Sequence, residues 1–184
     1  MSMRSHYKRR IHVLSLPFSD IQMSAGSCTR FDAEMYNQYL DVLKRSAGRL
    51  ETLSLEFFQN LPSDFYLMTY YNREDLLGWT ISILFKGKYS FFLGGINYDL
   101  VKQFNTYFNM LFAIIRDGIA KKATSIDLGQ TAEIPKICLG GNVVEKNMLA
   151  YHKNRLLRII LKSGKRFLEY HRTVPDMHVF RKSI

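Results

Sequence analysis

Between Asp127 and Gly141 the chain places an amide, a hydroxyl, a carboxylate and an amine within seven residues, as Gln130, Thr131, Glu133 and Lys136. Gln130 can donate and accept hydrogen bonds, so it could orient a polarised carbonyl. Glu133 is a candidate general base for the proton of an attacking amine. Lys136 is a candidate point charge for a phosphate or a developing oxyanion. Gly129, just before them, lets the backbone turn or approach a ligand closely. The same residues also fit a polar loop in which Thr131 and Glu133 cap a short helix.

Other reactive groups are scattered. Five histidines (His6, His12, His152, His171, His178) show no metal-ligand spacing. His152 falls at the end of a predicted strand, where it could touch substrate or simply face solvent. Asp127 and Glu133 could form a carboxylate dyad, but Asp127 reads as a buried strand residue held by hydrogen bonds. Tyr66, Tyr70, Tyr71, Phe91 and Phe92, with Lys86 and Lys88, could stack bases. One-sided burial of a meander explains them more simply. Cys28 and Cys138 form no disulfide framework and read as small buried apolar residues.

The elements that must position these groups follow from periodicity. Asp32 predicts the N-cap of a helix over about 33–47, with Tyr36, Tyr39, Leu40, Leu43 and Ala47 on its apolar stripe. A short helix follows at about 53–60. Strands are expected at 65–71, 78–85 and 89–95, joined by a turn at Asn72–Asp75 and a Gly87-Lys88 loop of type II′. Asp99 predicts the cap of a long helix over about 100–122, with Leu100, Phe104, Tyr107, Phe108, Leu111, Ile115 and Ile119 on one face. Thr124–Gly129 is a short strand, parallel to the third through a right-handed crossover. A last strand at 143–151, a basic helix around 156–161 and a strand or arm at 166–170 complete the chain.

This is an α/β arrangement: a mixed sheet with an antiparallel meander, a long crossover helix and a parallel strand pair at its middle. Residues 1–184 read as one domain. Such sheets bind ligands beyond the carboxyl ends of their parallel strands. Those ends are Gly94-Gly95-Ile96-Asn97-Tyr98 and Gly129-Gln130-Thr131.

Composition bounds the partners. With 184 residues, 47% hydrophobic and 14% aromatic, the chain is long and apolar enough to bury a core. The net charge of +10 is localised. Residues 1–10 carry +4, residues 151–184 carry +7 and the rest carries −1. A basic surface of this kind favours a polyanion such as tRNA, a phosphorylated substrate or an anionic lipid face. The basic helix around 156–161, where cations alternate with Leu and Ile, reads as a cover helix, a membrane-surface helix or a tRNA contact. Ala25-Gly26-Ser27-Cys28 lacks the Leu usual in a lipoprotein cleavage box, and the expected location is cytoplasmic.

The element order resembles that of the GNAT (N-acetyltransferase) superfamily. The segment from Gly94 to Gly140 resembles the acyltransferase domain of FemAB-like, peptidoglycan-biosynthesis-related proteins. It shares a strand ending Gly94-Gly95, a helix with Tyr107-Phe108-Asn109, a strand ending Asp127-Leu128-Gly129-Gln130-Thr131, and Lys136 ahead of Gly140. Residues 50–58 also fit that type, and the resemblance spans roughly residues 30–155.

It implies transfer of an acyl or aminoacyl group to an amine-bearing acceptor by direct attack, without a covalent intermediate. The cosubstrate would be acyl-CoA or aminoacyl-tRNA, with no permanently bound cofactor and no metal. Gln130, Glu133 and Lys136 would be catalytic. Gly94, Gly95, Asn97, Tyr98, Tyr107, Thr131 and His152 would bind substrate. The sheet would splay between the parallel strands, with donor contacts along the backbone after Phe92.

The phosphate cradle of CoA-using members, Gln/Arg-x-x-Gly-x-Gly/Ala, is absent, and Asp99 would repel a pyrophosphate at the helix start. Acetyl-CoA is therefore the disfavoured donor. FemAB-like proteins usually carry two such lobes. One lobe here leaves open a fragment, half of a homodimer, or a non-catalytic lobe binding a polyanion or partner protein through its basic C-terminal segment.

Overall fold

From Leu76 to Ser82 every residue is buried, so this strand lacks the alternation of a strand with one wet face. It is the middle strand of five in the computed structural model, which describes residues 21–46, 51–130, 132–146, 149 and 151–164. The chain forms two compact units, divided between Gly129 and Gln130.

In the first unit, β1 (Gln22–Ser27), β2 (Phe65–Asn72), β3 (Asp75–Phe85) and β4 (Lys88–Ile96) are successive antiparallel neighbours. β5 (Ser125–Asp127) joins β4 in parallel. The meander and the parallel crossover strand therefore stand where periodicity placed them. β1 was not expected. Its sequence, Gln-Met-Ser-Ala-Gly-Ser, has no β-branched or aromatic residue, and it is a strand through its six-residue ladder with β2. The hairpin between β3 and β4 also differs. Its central residues are Lys86 and Gly87, both with positive φ (48° and 78°), which makes a type I′ turn one residue earlier than expected.

The two faces of β3 feed two cores. Leu76, Trp79 and Ile81 pack with Cys28, Phe31, Met35, Tyr39 and Phe58. That face carries α1 (Ala33–Arg45), capped by Asp32, whose carboxylate accepts from the Met35 N–H at 2.9 Å, and α2 (Leu55–Gln59). Leu77 packs on the opposite side with Tyr70, Ile96, Phe104, Met110 and Ala113.

The long crossover helix is broken. α3 (Val101–Phe104) ends at Asn105 in the left-handed region, and α4 runs from Thr106 to Ala120. Asn109 Nδ2 donates to the Phe104 carbonyl at 2.6 Å, satisfying a group the break frees. Asp99 makes no cap; Leu100 holds the N-cap position without a side-chain bond. The break resets the helical phase. Thr106, Asn109, Met110, Ala113, Ile114 and Gly118 turn inward, while Ile119, expected on the apolar face, is 66% exposed.

One polar cluster ties this helix to the sheet. Asp117 Oδ2 accepts from the Tyr66 and Tyr89 hydroxyls, each at 2.8 Å, and both carboxylate oxygens meet Lys121 Nζ at 2.7 Å. Burial pushes the Asp117 carboxyl up, but the bonds from Lys121, Tyr66 and Tyr89 outweigh it and hold it below its ordinary range. Burial, with the Asp117 charge beside it, pushes the Tyr89 phenol up to about 12. Asp117→Ala removes the acceptor that both phenols share and is expected to cost about 2 kcal/mol in urea denaturation. The contribution of the depressed carboxyl is present above its unfolded pKa of about 3.9 and fades as pH falls through the lower folded value. Acid unfolding should therefore begin at higher pH in the parent than in Asp117→Asn, once their neutral-pH difference is subtracted. Coincident normalised acid curves would show that this carboxylate is not linked to folding.

The second unit has α5 (Glu133–Cys138) and α6 (Arg155–Ser163). The strand expected at 143–151 is not formed by the described residues there. Val143 and Val144 are 53% and 74% exposed, so no sheet buries them. β5 thus ends the sheet among the described residues. The basic helix is present, longer than expected at both ends. Residues 166–170 lie outside the described residues.

Candidate functional site

β4 and β5 share only three parallel pairs, Lys88 with Ser125, Tyr89 with Ile126 and Ser90 with Asp127. β4 then continues through Phe91–Ile96 with no parallel partner among the described residues. On its other side the ladder to β3 shifts there: Ile81 pairs with Leu93 and Ser82 with Phe91, so Phe92 is an extra residue in a bulge. The bulge at Phe92 falls two residues past the last parallel pair at Ser90. The result is a fork with one edge of β4 unpaired by strand. Backbone groups along such an edge can hydrogen-bond an extended ligand.

Asp127 at the end of the parallel ladder is fastened through its side chain. Asp127 Oδ2 pairs with Lys88 Nζ at 2.9 Å, and Oδ1 accepts from the Gly129 N–H at 2.9 Å. Asp127 is thus hydrogen-bonded on its strand as expected, but it is half-buried rather than buried, its side chain 28% exposed. Gly129 has φ +75°, and a Cβ there would meet the Phe91 carbonyl at 3.4 Å. The chain therefore crosses the mouth of the fork at van der Waals distance from β4.

Gly94, Gly95, Asn97, Tyr98 and Tyr107 belong to the first unit. Gly95 lies against the indole of Trp79, and Gly94 against Phe91 and the Trp79 carbonyl. Asn97 holds the strand end: its N–H donates to the Leu77 carbonyl at 2.9 Å and its Oδ1 accepts from the Asp99 N–H at 3.1 Å. Tyr98 lies under the Arg45 guanidinium, 4.2 Å from its ring centre. Tyr107 is half-buried beside the core around Tyr70 and Phe104.

Asn97 and Tyr98 line a cleft of about 210 Å³ with Gln38, Asp41, Arg45 and Asp99. Gln38 donates Nε2 to the Leu76 carbonyl at 3.0 Å while its buried Oε1 has no partner. The α1 residues Gln38, Asp41 and Arg45 were not foreseen as wall residues. They interleave with the apolar stripe, and only the placement of α1 against β4 reveals them. A second cleft, of about 850 Å³, is lined by Gln22, Asn72, Arg73, Asp75, Leu100, Gln103 and Phe104, and by none of the expected residues.

Gln130, Glu133, Lys136 and His152 belong to the second unit. Ala132, with φ 48°, reverses the chain into α5, so Lys136 reaches back and donates Nζ to the Gln130 carbonyl at 2.8 Å. Lys136 is buried, Glu133 is half-buried in the first turn and Gln130 is exposed. His152 Nδ1 accepts from the Asn154 N–H at 3.0 Å, which places its proton on Nε2 when the ring is neutral. Thr131 lies outside the described residues.

The turn after β4 presents Asp99, whose N–H is bonded to Asn97 Oδ1 at 3.1 Å, and leads into a helix of four residues. Among the described residues no group of three or more His, Cys, Asp and Glu side chains could hold a metal ion. No described helix is long and apolar enough to cross a membrane.

Strand order, bulge, fork and crossover helix define a GNAT-like acetyltransferase fold. Solved structures share it. A possible acetyltransferase from Clostridium difficile 630 is 12% identical with TM-score 0.53, covering 73% of this chain and 99% of its own. An integron cassette protein from the mobile metagenome of V. cholerae is 7% identical with TM-score 0.52, covering 78% and 98%. A transcriptional regulator from Bacillus halodurans C-125 is 13% identical with TM-score 0.51, covering 72% and 99%. No family model and no curated protein matches the sequence.

Proposed function

We propose that this protein is an N-acyltransferase that moves an acyl or aminoacyl group onto an amine by direct attack. The observation that carries this reading is the fork, with the Phe92 bulge two residues past the last parallel pair. The donor lies along the β4 edge beyond Phe92, and a backbone N–H there holds the carbonyl oxygen as it becomes an oxyanion. Within the second unit, the side-chain chemistry suits Glu133 to take an amine proton and Gln130 to orient an acyl group, and Lys136 Nζ holds the Gln130 loop through its 2.8 Å bond to the Gln130 carbonyl. The amine nitrogen bonds to the carbonyl carbon, the bond to the carrier breaks, and the carrier leaves with the electron pair. The Gly94-Gly95 strand end and the Gln130 to Gly140 spacing support the FemAB-like type.

The turn at Asn97–Asp99 supports a donor whose phosphates bind elsewhere, which favours aminoacyl-tRNA over acetyl-CoA. The test is thermal-shift binding against acetyl-CoA, longer acyl-CoAs, an aminoacyl-tRNA and a phosphorylated sugar-peptide precursor. A donor at a hundred times its Kd adds about 2.7 kcal/mol, a rise of several degrees in Tm. A shift with CoA esters alone would overturn the reading of the Asp99 turn. Stabilisation by anionic polymers alone would replace the enzyme with a non-catalytic binding lobe.

A further inference from the structure

Helix α6 carries a face that nothing in the reaction above uses. Asn154 caps it, its Oδ1 accepting from the Leu156 N–H at 2.9 Å, and none of its nine residues is buried. At 3.6 residues per turn, Leu156, Leu157, Ile159, Ile160 and Leu161 fill an arc of about 200°, and Arg155, Arg158 and Lys162 share the opposite side. Leu156, Ile159 and Ile160 are 71%, 57% and 62% exposed. Tyr151, just ahead of the helix, is 76% exposed and lies 6.0 Å from the Arg158 guanidinium. From Tyr151 to Gly164 the chain has four cations, with Lys153 the fourth, and no acid.

Charge and shape together select the occupant. A nucleic acid would engage the cations and leave the aliphatic arc wet. A second copy of the same helix would bring like charges together. The headgroup layer of an anionic bilayer takes both, with aliphatic side chains at the acyl boundary, an aromatic at the interface and cations beside lipid phosphates. We propose that α6 is an interfacial helix that lies flat in an anionic lipid surface and docks the protein there reversibly.

The experiment is co-sedimentation of the full chain with phosphatidylcholine vesicles, alone or with one third phosphatidylglycerol. Binding is expected to the mixed vesicles, to weaken as salt rises, and to be far weaker on pure phosphatidylcholine. Ile160→Glu should lower the bound fraction about tenfold or more by charging the apolar arc. Arg158→Glu with Lys162→Glu should weaken binding to the mixed vesicles while leaving Tm unchanged. Because α6 buries none of its residues, both variants should fold, which circular dichroism checks.

No binding to mixed vesicles overturns the proposal. So does binding that Ile160→Glu leaves intact, since unspecific charge then suffices. A dimer in solution that Leu156→Glu dissociates, without vesicle binding, would assign the face to a second copy. Nucleic-acid binding that survives Ile160→Glu, without vesicle binding, would assign the cations to a polynucleotide.

Discussion

Gly95→Ala should cost about 3 kcal/mol or more, as overpacking of a rigid core does at its upper end. A Cβ at Gly95 would sit 2.3 Å from Trp79 Nε1 and 2.6 Å from Cε2, so something must move. The indole cannot. It is fully buried, its Nε1–H donates to the Met35 carbonyl at 2.9 Å, and the Phe31 ring packs edge-on at 4.7 Å. Moving the ring breaks the bond to α1; moving β4 disturbs the strand that forms the fork. Gly26→Ala is the control, because its Cβ would meet only the flexible end of Arg30 and should cost a few tenths of a kcal/mol. Trp79 is the single tryptophan, so its emission in a urea titration reports the site directly. A Gly95→Ala protein within 1 kcal/mol of the parent would show that Trp79 does not dictate this glycine.

That result bears on how Gly94-Gly95 was read. The pair stood out through resemblance to a family, as a place where backbone approaches substrate. The structure supplies a packing reason for Gly95 that no sequence pattern contains, because Trp79 and Gly95 are partners across a β-ladder. The meander was legible because its strands are rich in aromatic and β-branched residues and its turns are marked. β1 was not, because its six residues, none of them β-branched or aromatic, carry no β signal and depend on pairing with β2. The helix break at Asn105 was hidden for a similar reason. Apolar spacing continues through it, while the left-handed Asn105 and the bond from Asn109 to Phe104 belong to the folded backbone alone. Of the candidate residues, the polar loop at Gln130–Lys136 was visible because its side-chain types are unusual together. The cleft wall on α1 was not, since Gln38 and Asp41 look like an ordinary wet face until β4 is placed beside them.

Lys136→Ala should lower transfer by about two orders of magnitude or more, the scale expected when a donor aimed at a developing oxyanion is lost. The residue is 7% exposed, an unusual state for a lysine, and Nζ donates to the Gln130 carbonyl at 2.8 Å. Its own carbonyl accepts from the Gly141 N–H at 3.0 Å and the Leu139 N–H at 3.1 Å. The residue is therefore held at both ends, and it closes the loop that carries Gln130 and Glu133. Alanine removes the clamp and the charge together; methionine keeps the stem and removes only the charge. If Lys136 acts by holding the loop, both variants should lose thermal stability and raise KM for the donor, with a smaller fall in kcat. If the ammonium acts on the transition state, Lys136→Met should keep KM within about threefold while kcat falls a hundredfold. Arginine should not restore the rate, because its planar fork is wider than the ammonium it replaces. A folded Lys136→Ala protein with full transfer activity would remove Lys136 from the site, and with it the reason for placing the chemistry at Gln130 and Glu133.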